Sequence, residues 1–397
     1  MKHRERVMAA IGHQKPDRLP VDLGGMRSTG IMAVAYHHLK RHLGMTEGEL
    51  RVFDPMQQLA CVEAPVRERF GCDVVILDQG LLHGWRACTL ADGTSAQITA
   101  AFRSEPDGQG GEFALDDDGR RIWRRPASSH YFDRIYYPLS EATSFADLDR
   151  YNWPVLKDED LLLLQQEARR LHDETDYAIL GTFGGAFLEG AQALRGWETF
   201  MMDVAASRSF AEALLDRMLA NALRNVELYL DAVGDYIQII QMGGDMGMQN
   251  GPQIAPRTYY DVFQPREKAL WSRIHQLKPE LAVFLHCCGG IYELLPGIID
   301  AGINILNPVQ FTAKGMDPAR LKREFGSKIC YWGGGCDTQR VLPTGTPEEV
   351  YEHTCQMIQV FKPGSGFVFC QVHNIQAGVP PENIVAMFQA VRDSWDY

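Results

Sequence analysis

Eight short apolar segments, separated by helical patterns or loops, constrain the fold of this 397-residue chain more than any other feature. They are rich in β-branched and aromatic residues and end in glycine or polar residues, as buried strands do. The segments are residues 18–24, 72–78, 177–182, 236–241, 281–286, 303–306, 328–332 and 366–370. Strands that alternate with helices predict a parallel sheet of the α/β class. The eightfold count favours a TIM (β/α)8 barrel over an open doubly wound sheet.

Two of the intervening patterns are helical over their whole length, residues 209–233 and 346–361. The second opens with Thr346-Pro-Glu-Glu, where threonine caps the helix and proline occupies its first turn. We find no linker or tandem repeat in the sequence, so we expect residues 1–397 to form a single domain.

Residues 84–126 break this alternation. They carry the turn signals Ala-Asp-Gly-Thr, Asp-Gly-Gln-Gly-Gly and Asp-Asp-Asp-Gly between short β-prone pieces. This pattern predicts antiparallel hairpins inserted after strand two, covering part of the barrel mouth. Trp85 and Trp123 within it form either a small local core, which we favour, or the surface of a lid.

Charge and cysteine content exclude several classes of protein. A net charge of −12, with no run of basic residues, argues against nucleic acid as a partner. The N-terminus leads into an amphipathic helix, and no apolar run reaches the roughly 18 residues of a membrane span. Nine cysteines, an odd number without regular spacing, fit reduced thiols better than disulfides. We therefore expect a soluble cytoplasmic protein.

Soft metal ligands follow three of the predicted strands. His286 and Cys288 flank one residue in Phe284-Leu-His-Cys-Cys-Gly-Gly290, Cys336 follows the next-but-one strand, and His373 follows the last. Because parallel strands of a barrel end at the same face, these side chains are expected to converge. Thiolate with imidazole favours zinc. The alternative is that the cysteines are small core residues and the histidines are hydrogen-bonded core residues.

Four motifs resemble the uroporphyrinogen decarboxylase superfamily. They are residues 4–21, Gly302-Ile-Asn-Ile-Leu-Asn-Pro-Val-Gln310, Trp332-Gly-Gly-Gly-Cys-Asp-Thr-Gln339, and Val372-His-Asn-Ile-Gln376 followed by Val379-Pro-Pro-Glu-Asn383. The resemblance covers nearly the whole chain. It implies a TIM barrel and one of two activities: decarboxylation of a polyacidic tetrapyrrole, or zinc-dependent methyl transfer to or from a corrinoid protein.

The segment after strand one separates these activities. The decarboxylases carry several arginines there, since a substrate with many carboxylates needs cationic partners. The corresponding residues 22–29 contain a single arginine, Arg27. The methyltransferases place a His-x-Cys pair after a middle strand, which His286 and Cys288 match, and a third ligand after the last strand. That third ligand is His373 here, with Cys370 as the competing candidate. Cys336 either completes the zinc shell or serves as an outer-shell or substrate residue.

The resemblance implies a corrinoid (cobalamin) cofactor carried by a partner protein, because the sequence has no Asp-x-His-x-x-Gly segment of the kind found in corrinoid carriers. Demethylation of a small methoxylated or methylated compound is the expected direction of transfer. There are two alternatives: a decarboxylase that acts without corrinoid, and a non-catalytic barrel whose zinc is structural. A homodimer is a further expectation.

Polar residues after other strands are candidates for handling the substrate. Asp245 is the candidate for proton transfer, with capping of the following helix as the alternative. The candidates for substrate binding are Arg27, Gln249, Asn307, Gln310 and Asn374. For Asn307 and Asn374, hydrogen bonding to loop backbone is the favoured alternative.

Overall fold

A curled sheet of parallel strands forms the centre of the computed structural model, which describes residues 1–90 and 92–397. The sheet has seven strands in this part of the chain, and we number them β1–β7 in chain order. They are Val74–Leu77, Ala178–Gly184, Ile239–Gly243, Ala282–His286, Ile305–Asn307, Cys330–Trp332 and Phe367–Val368. Each strand pairs in parallel with the next one in the chain, so the prediction of a parallel α/β sheet is confirmed.

Residues 20–22 join the two edges of this sheet. The Asp73 amide donates to the Val21 carbonyl at 2.8 Å, and the Phe369 amide donates to the Pro20 carbonyl at 2.9 Å. The predicted strand 18–24 is therefore present only as isolated bridges at Arg18 and Val21. Proline has no amide hydrogen to donate to a neighbouring strand, which shortens the pairing here. The resulting architecture is that of a TIM-like barrel.

Alternate residues of the strands fill the interior of the barrel, as the two-residue period of a strand requires. Ala178, Leu180, Ile239, Phe284 and Trp332 belong to one buried interior cluster. Their neighbours Ile179, Ile240, Val283 and Tyr331 face outward and join the larger cluster under the helices. The residue two positions beyond Phe284 is His286, so strand geometry points His286 into the barrel at its carboxyl end.

Helices surround the barrel. The α-helices are His3–Ile11, Ala33–His42, Ala64–Phe70, Phe145–Arg150, Asp158–Glu174, Leu188–Arg195, Trp197–Ala206, Arg208–Val233, Pro256–Thr258, Gln264–Leu277, Leu295–Ala301, Pro318–Phe325, Val341–Thr344, Pro347–Phe361 and Pro381–Ser394. Short 3₁₀ turns span Arg27–Thr29 and Gln79–Leu81, and a π-helical turn spans Tyr259–Phe263. Both predicted helices are present, and Thr346 caps the second by accepting from the Glu349 amide at 3.2 Å.

The remaining strands lie outside the barrel. They are Arg51–Asp54, Leu59–Ala60, Trp85–Thr89 and Ser95–Thr99 in one sheet, Ser104–Pro106, Glu112–Leu115, Arg121–Arg125 and Asp133–Arg134 in a second, and the pair Gly247–Met248 and Gly251–Pro252. The first sheet mixes parallel and antiparallel pairs, and the second is antiparallel. Ala91, which lies in the predicted insertion 84–126, is outside the described residues.

Both tryptophans of this region have local contacts. The Arg51 guanidinium lies 5.2 Å from the centroid of the Trp85 ring, and the Arg134 guanidinium lies 4.1 Å from that of Trp123. No helix among the described residues is both long enough and apolar enough to cross a bilayer.

Candidate metal centre

Three of the four predicted metal ligands come together at the carboxyl end of the barrel. One ligand atom each from His286, Cys288 and His373 lie within 4.8 Å of one another. The Cys288 Sγ is 3.3 Å from the His286 Nε2, and the two imidazole rings are 6.0 Å apart between centroids. Residues 87 positions apart in sequence thus meet, because both strands end at one face of the barrel.

His286 is fixed by its strand and by one amide. It is the last residue of β4, and its Nδ1 lies 2.6 Å from the Oδ1 of Asn307 at the end of β5. The Nε2 faces the interior, where the Ser28 Oγ lies 3.2 Å away. The Nδ1 is therefore held by Asn307, while the Nε2 faces Ser28 and the Cys288 thiol.

Cys288 lies in the loop after β4, so its position does not follow from strand alternation. The Asp245 carboxylate accepts a hydrogen bond from the Cys288 amide at 2.7 Å. Gly289 adopts φ +86°, and a Cβ there would lie 2.4 Å from the Gly247 backbone. Only glycine fits this close approach. Contact with the hairpin 247–252 thus places the thiol beside His286.

His373 is supported by a network of amide side chains. Its Nδ1 lies 2.9 Å from the Oδ1 of Asn374, which also accepts a hydrogen bond from the Gln376 Nε2 at 2.5 Å. Tyr131, from the segment after the hairpins, donates to the same oxygen at 3.2 Å. Burial lowers the pKa of His373 to about 4, and the nearby His286 adds to the effect. His373 is therefore neutral at pH 7, as a metal ligand must be.

Cys336 and Cys370 lie apart from this cluster. Within the described residues, the group that could hold a metal contains neither of them. Cys336 is fully buried, and burial raises the pKa of its thiol. Cys370 is buried in the interior cluster, 4.0 Å from the Asn307 Nδ2. The predicted fourth ligand, Cys336, is therefore not brought to the other three.

A cavity of about 660 Å³ opens beside the cluster and includes His286 and His373 in its wall. Asp78, Glu189 and Asp245 contribute carboxylates to the wall. Among the described residues that line the cavity, Arg27 is the only lysine or arginine. Its guanidinium lies 2.6 Å from Asp54 and 2.8 Å from Asp78, so two carboxylates already neutralise it.

The wall is therefore acidic. Burial raises the pKa of Glu189, and the neighbouring Asp245 carboxylate raises it further. Burial also raises the pKa of the Cys288 thiol well above its ordinary value, and Asp245 again adds to the effect. Without a cation the thiol stays protonated at neutral pH, since a thiolate there would be desolvated beside a carboxylate.

The predicted substrate residues have several different environments. Arg27 lines the cavity, but Asn307 and Asn374 are completely buried and contact the two histidines instead of the cavity. Gln310 accepts from the Gly289 amide at 2.8 Å and donates to Gln249 at 3.0 Å. Both glutamines thus support the loop that carries Cys288.

Asp245 does not cap a helix. The short strand Gly247–Met248 follows it, and its Oδ1 accepts from the Cys288 amide and lies 3.8 Å from the His286 Nε2. Its own amide donates to the Glu189 carboxylate at 3.2 Å. Asp245 therefore connects the acidic wall to the candidate metal ligands.

Sequence reasoning missed Ser28, Asp78 and Glu189. Asp78 could have been found, since it ends the predicted strand two and carboxyl ends of barrel strands carry functional side chains. Ser28 and Glu189 lie in a 3₁₀ turn and in the first turn of a helix, and no local pattern distinguishes them from capping residues.

The fold and the site define a TIM-like barrel with a candidate metal centre at its carboxyl face. Residues 136–394 match the profile of the family Uroporphyrinogen decarboxylase (URO-D). The match covers 259 of 397 residues, and the chain belongs to this family. The resemblance of its motifs to the family is thereby confirmed.

Several solved structures are similar to this chain, and the first of them shows the same fold. A methyltransferase from Methanosarcina mazei matches over 99% of this chain and 99% of that chain, with a TM-score of 0.60 and 15% identity. D-psicose 3-epimerase in the presence of D-fructose matches 63% of this chain and 84% of its own, with a TM-score of 0.30 and 13% identity. PbGH5A, a glycoside hydrolase family 5 enzyme from Prevotella bryantii B14, matches over 62% of this chain and 93% of that chain, with a TM-score of 0.29 and 12% identity. A search of curated proteins finds no match.

Proposed function

We propose that this protein is a zinc-dependent methyltransferase that demethylates a small methoxylated or methylated compound and passes the methyl group to a corrinoid protein. The observation that carries the proposal is the convergence of His286, Cys288 and His373 beside the cavity. The fold shared with a methyltransferase supports it, although likeness at 15% identity concerns the fold alone. We further propose that the chain acts as a single domain.

The residues fit zinc. One thiolate and two imidazoles are soft and borderline ligands of the kind zinc selects, and three protein ligands leave an exchangeable position, as in catalytic zinc sites. When bound there, zinc would supply Lewis acidity to the heteroatom that loses the methyl group. Cys288, His286 and His373 would hold the ion. Cys336, which is fully buried and outside the group, would have only an indirect role.

The remaining side chains position the reactants. Arg27 lines the cavity in a fixed orientation because Asp54 and Asp78 bind its guanidinium, so its exposed part offers a polar contact without free charge. Asp245 lies between Glu189 and the cluster and would hold or release a proton of the substrate. Asn307, Asn374, Gln249 and Gln310 act through the ligands that they support.

The charge of the cavity favours methyl transfer over decarboxylation of a polyacid. Three carboxylates line the wall, and the one guanidinium among the described lining residues is already paired with one of them, Asp78, and with Asp54. A substrate with several carboxylates would be desolvated next to these like charges without cationic partners, at a large cost in free energy. A small neutral or cationic methylated compound meets no such cost.

The corrinoid is proposed to arrive on a separate protein. The sequence has no Asp-x-His-x-x-Gly segment, and the described strands and helices belong to the barrel or to the small sheets beside it. The cavity lies at the carboxyl face, where a carrier could approach the reacting group.

The test uses zinc-loaded protein, chemically reduced cobalamin and a panel of small methoxylated and methylated compounds, with formation of methylcobalamin followed by absorbance. We expect transfer from at least one neutral or cationic member, and no transfer by the Cys288→Ala variant. Equal transfer by Cys288→Ala, or consumption of uroporphyrinogen with release of carbon dioxide, would contradict the proposal.

A further inference from the structure

The two candidate histidine ligands share one arrangement that the metal chemistry does not by itself require. Each ring presents its Nδ1 to the Oδ1 of a completely buried asparagine: His286 to Asn307 at 2.6 Å and His373 to Asn374 at 2.9 Å. An asparagine oxygen can only accept a hydrogen bond, whereas its nitrogen can only donate. Which end of each amide faces the ring therefore decides which ring nitrogen carries the proton.

The orientation of Asn307 follows from a backbone carbonyl. Its Nδ2 lies 2.7 Å from the Trp332 carbonyl oxygen, which can only accept. The amide nitrogen must face that carbonyl, and the Oδ1 must face His286. The Nδ1 of His286 then carries the hydrogen, and the Nε2 keeps its lone pair. That Nε2 is the atom 3.3 Å from the Cys288 Sγ.

The orientation of Asn374 follows from a carbonyl in two steps. The Gln376 Nε2 lies 3.3 Å from the backbone carbonyl of Asn374, so this end of the glutamine is its donor end. The same nitrogen lies 2.5 Å from the Asn374 Oδ1, which confirms that this atom is the acceptor. His373 must therefore also donate from Nδ1, which leaves its Nε2 free.

We propose that Asn307 and Asn374 are positioning residues that set both histidines in the Nδ1–H tautomer before any metal arrives. The lone pair on the His286 Nε2 then faces the Cys288 Sγ 3.3 Å away, and His373 likewise keeps its Nε2 for the ion, so neither imidazole needs tautomer exchange to bind. Such outer partners of metal-binding histidines commonly change metal affinity by about 10- to 100-fold. The benefit for zinc rests on the proposed function, whereas the tautomers are properties of the metal-free protein.

The experiment is ¹⁵N NMR of histidine-labelled, metal-free protein, which distinguishes a protonated from an unprotonated ring nitrogen at each site. Single His286→Ala and His373→Ala variants assign the signals. We expect Nδ1–H and bare Nε2 for both residues in the wild-type protein. An Nε2–H tautomer at either residue would overturn the proposal for that residue, and this measurement requires no change to an asparagine.

Asparagine variants test the cause. Asn307→Leu and Asn374→Leu keep the volume but remove the acceptor, so we expect mixed tautomers and zinc affinity lowered about 10- to 100-fold. Asn307→Asp and Asn374→Asp restore an acceptor and should restore the Nδ1–H signal. Asn304→Leu is the matched control, since the Asn304 Oδ1 accepts from the Val283 amide at 2.7 Å and touches neither ring. Unchanged tautomers and unchanged zinc affinity in the leucine variants would overturn the proposal.

Failure of this proposal and failure of the proposed function give different results. Wild-type protein with both Nδ1–H tautomers but no zinc affinity would contradict the zinc-dependent function and leave the tautomers in place. Zinc-dependent methyl transfer by protein with Nε2–H histidines would contradict only the role of the asparagines.

Discussion

At the residue scale, the candidate ligand after the last strand, His373, distinguishes the proposed site from one built on cysteines alone. We predict that His373→Ala lowers zinc affinity by about one to two orders of magnitude or more, since its imidazole belongs to the cluster and even outer-shell losses cost about 10- to 100-fold. Cys370→Ala should retain zinc, because the Cys370 thiol is buried in the barrel interior. Competition with a chromophoric chelator measures both. Loss of zinc in Cys370→Ala with retention in His373→Ala would contradict the assignment.

Cys336→Ser is a second discriminating variant. The Cys336 thiol is buried and lies outside the cluster, so we expect the serine variant to bind zinc as the wild-type protein does. Serine is nearly isosteric with cysteine, and circular dichroism recorded in parallel distinguishes a loss of zinc through misfolding from the loss of a ligand. Loss of zinc from a folded Cys336→Ser protein would make Cys336 a ligand after all.

We predict that the thiol of Cys288 makes zinc binding depend on pH. Because burial and Asp245 raise its pKa well above the ordinary value, the thiol is protonated at pH 7 and must release its proton to bind the ion. His373, with a pKa of about 4, has no proton to release at that pH. Zinc affinity should thus rise about tenfold per pH unit between pH 6 and 8, with about one proton released. Calorimetry in buffers of different ionisation enthalpy measures the release, and an affinity independent of pH would contradict it.

At the element scale, side-chain positions that follow from strand geometry can be predicted from the sequence. Positions that depend on contacts between loops cannot. His286 and His373 could be placed because β4 and β7 end at the same face of a parallel sheet. The spacing of two residues predicts Cys288 beside His286, but the strand ends at His286. What holds Cys288 there is Asp245 and the approach of Gly289 to Gly247, contacts between segments about 40 residues apart. No periodicity in the sequence reports such a contact.

Residues 18–24 show that strand length is also difficult to predict from sequence. Their apolar composition predicts a regular strand, but Pro20 can only accept hydrogen bonds, and Gly24 turns the chain at φ +83°. The segment joins the two edges of the sheet through a few bonds instead of a full ladder. Alternation along a strand predicts which side chains face the barrel interior. The length of a strand depends instead on its hydrogen bonds to the adjacent strands.

The helix Gln264–Leu277 carries a pH-sensitive contact of its own. Glu267 is buried, its carboxylate accepts from the Tyr259 hydroxyl at 2.6 Å, and burial raises its pKa from 4.5 to about 7. Between these two values the folded protein holds a proton that the unfolded chain has released. The contribution of this group to stability is therefore fully present below pH 4.5 and is lost as pH rises through about 7.

Glu267→Gln, which has no such proton, should reveal this effect. We expect the free energy of unfolding of the wild-type protein, relative to the variant, to fall by about 2 to 3 kcal/mol between pH 5 and pH 8. Urea unfolding at the two pH values measures the difference. The same difference between wild type and variant at both pH values would show that Glu267 does not bind a proton in this range.

At the scale of the whole molecule, the acidic cavity sets which substrates can enter. Three probes with the same methoxy end but different charge test this: 2-methoxyethylamine, 1-methoxypropane and methoxyacetate. We predict that methoxyacetate binds zinc-loaded protein most weakly, because Glu189 and Asp245 face it while Arg27 is already paired. Uroporphyrinogen, with its many carboxylates, should likewise not be consumed. Tightest binding of methoxyacetate would show that Arg27 acts as an anion site.

The most direct measurement of the central claim is the zinc content of gently purified protein, compared with that of the Cys288→Ala and His286→Ala variants. We predict about one zinc per wild-type chain, and loss of most of it in both variants while the fold survives, because the large barrel core does not depend on these side chains. Wild-type protein without stoichiometric metal would contradict the claim. Unfolding of both variants would instead mark the metal as structural.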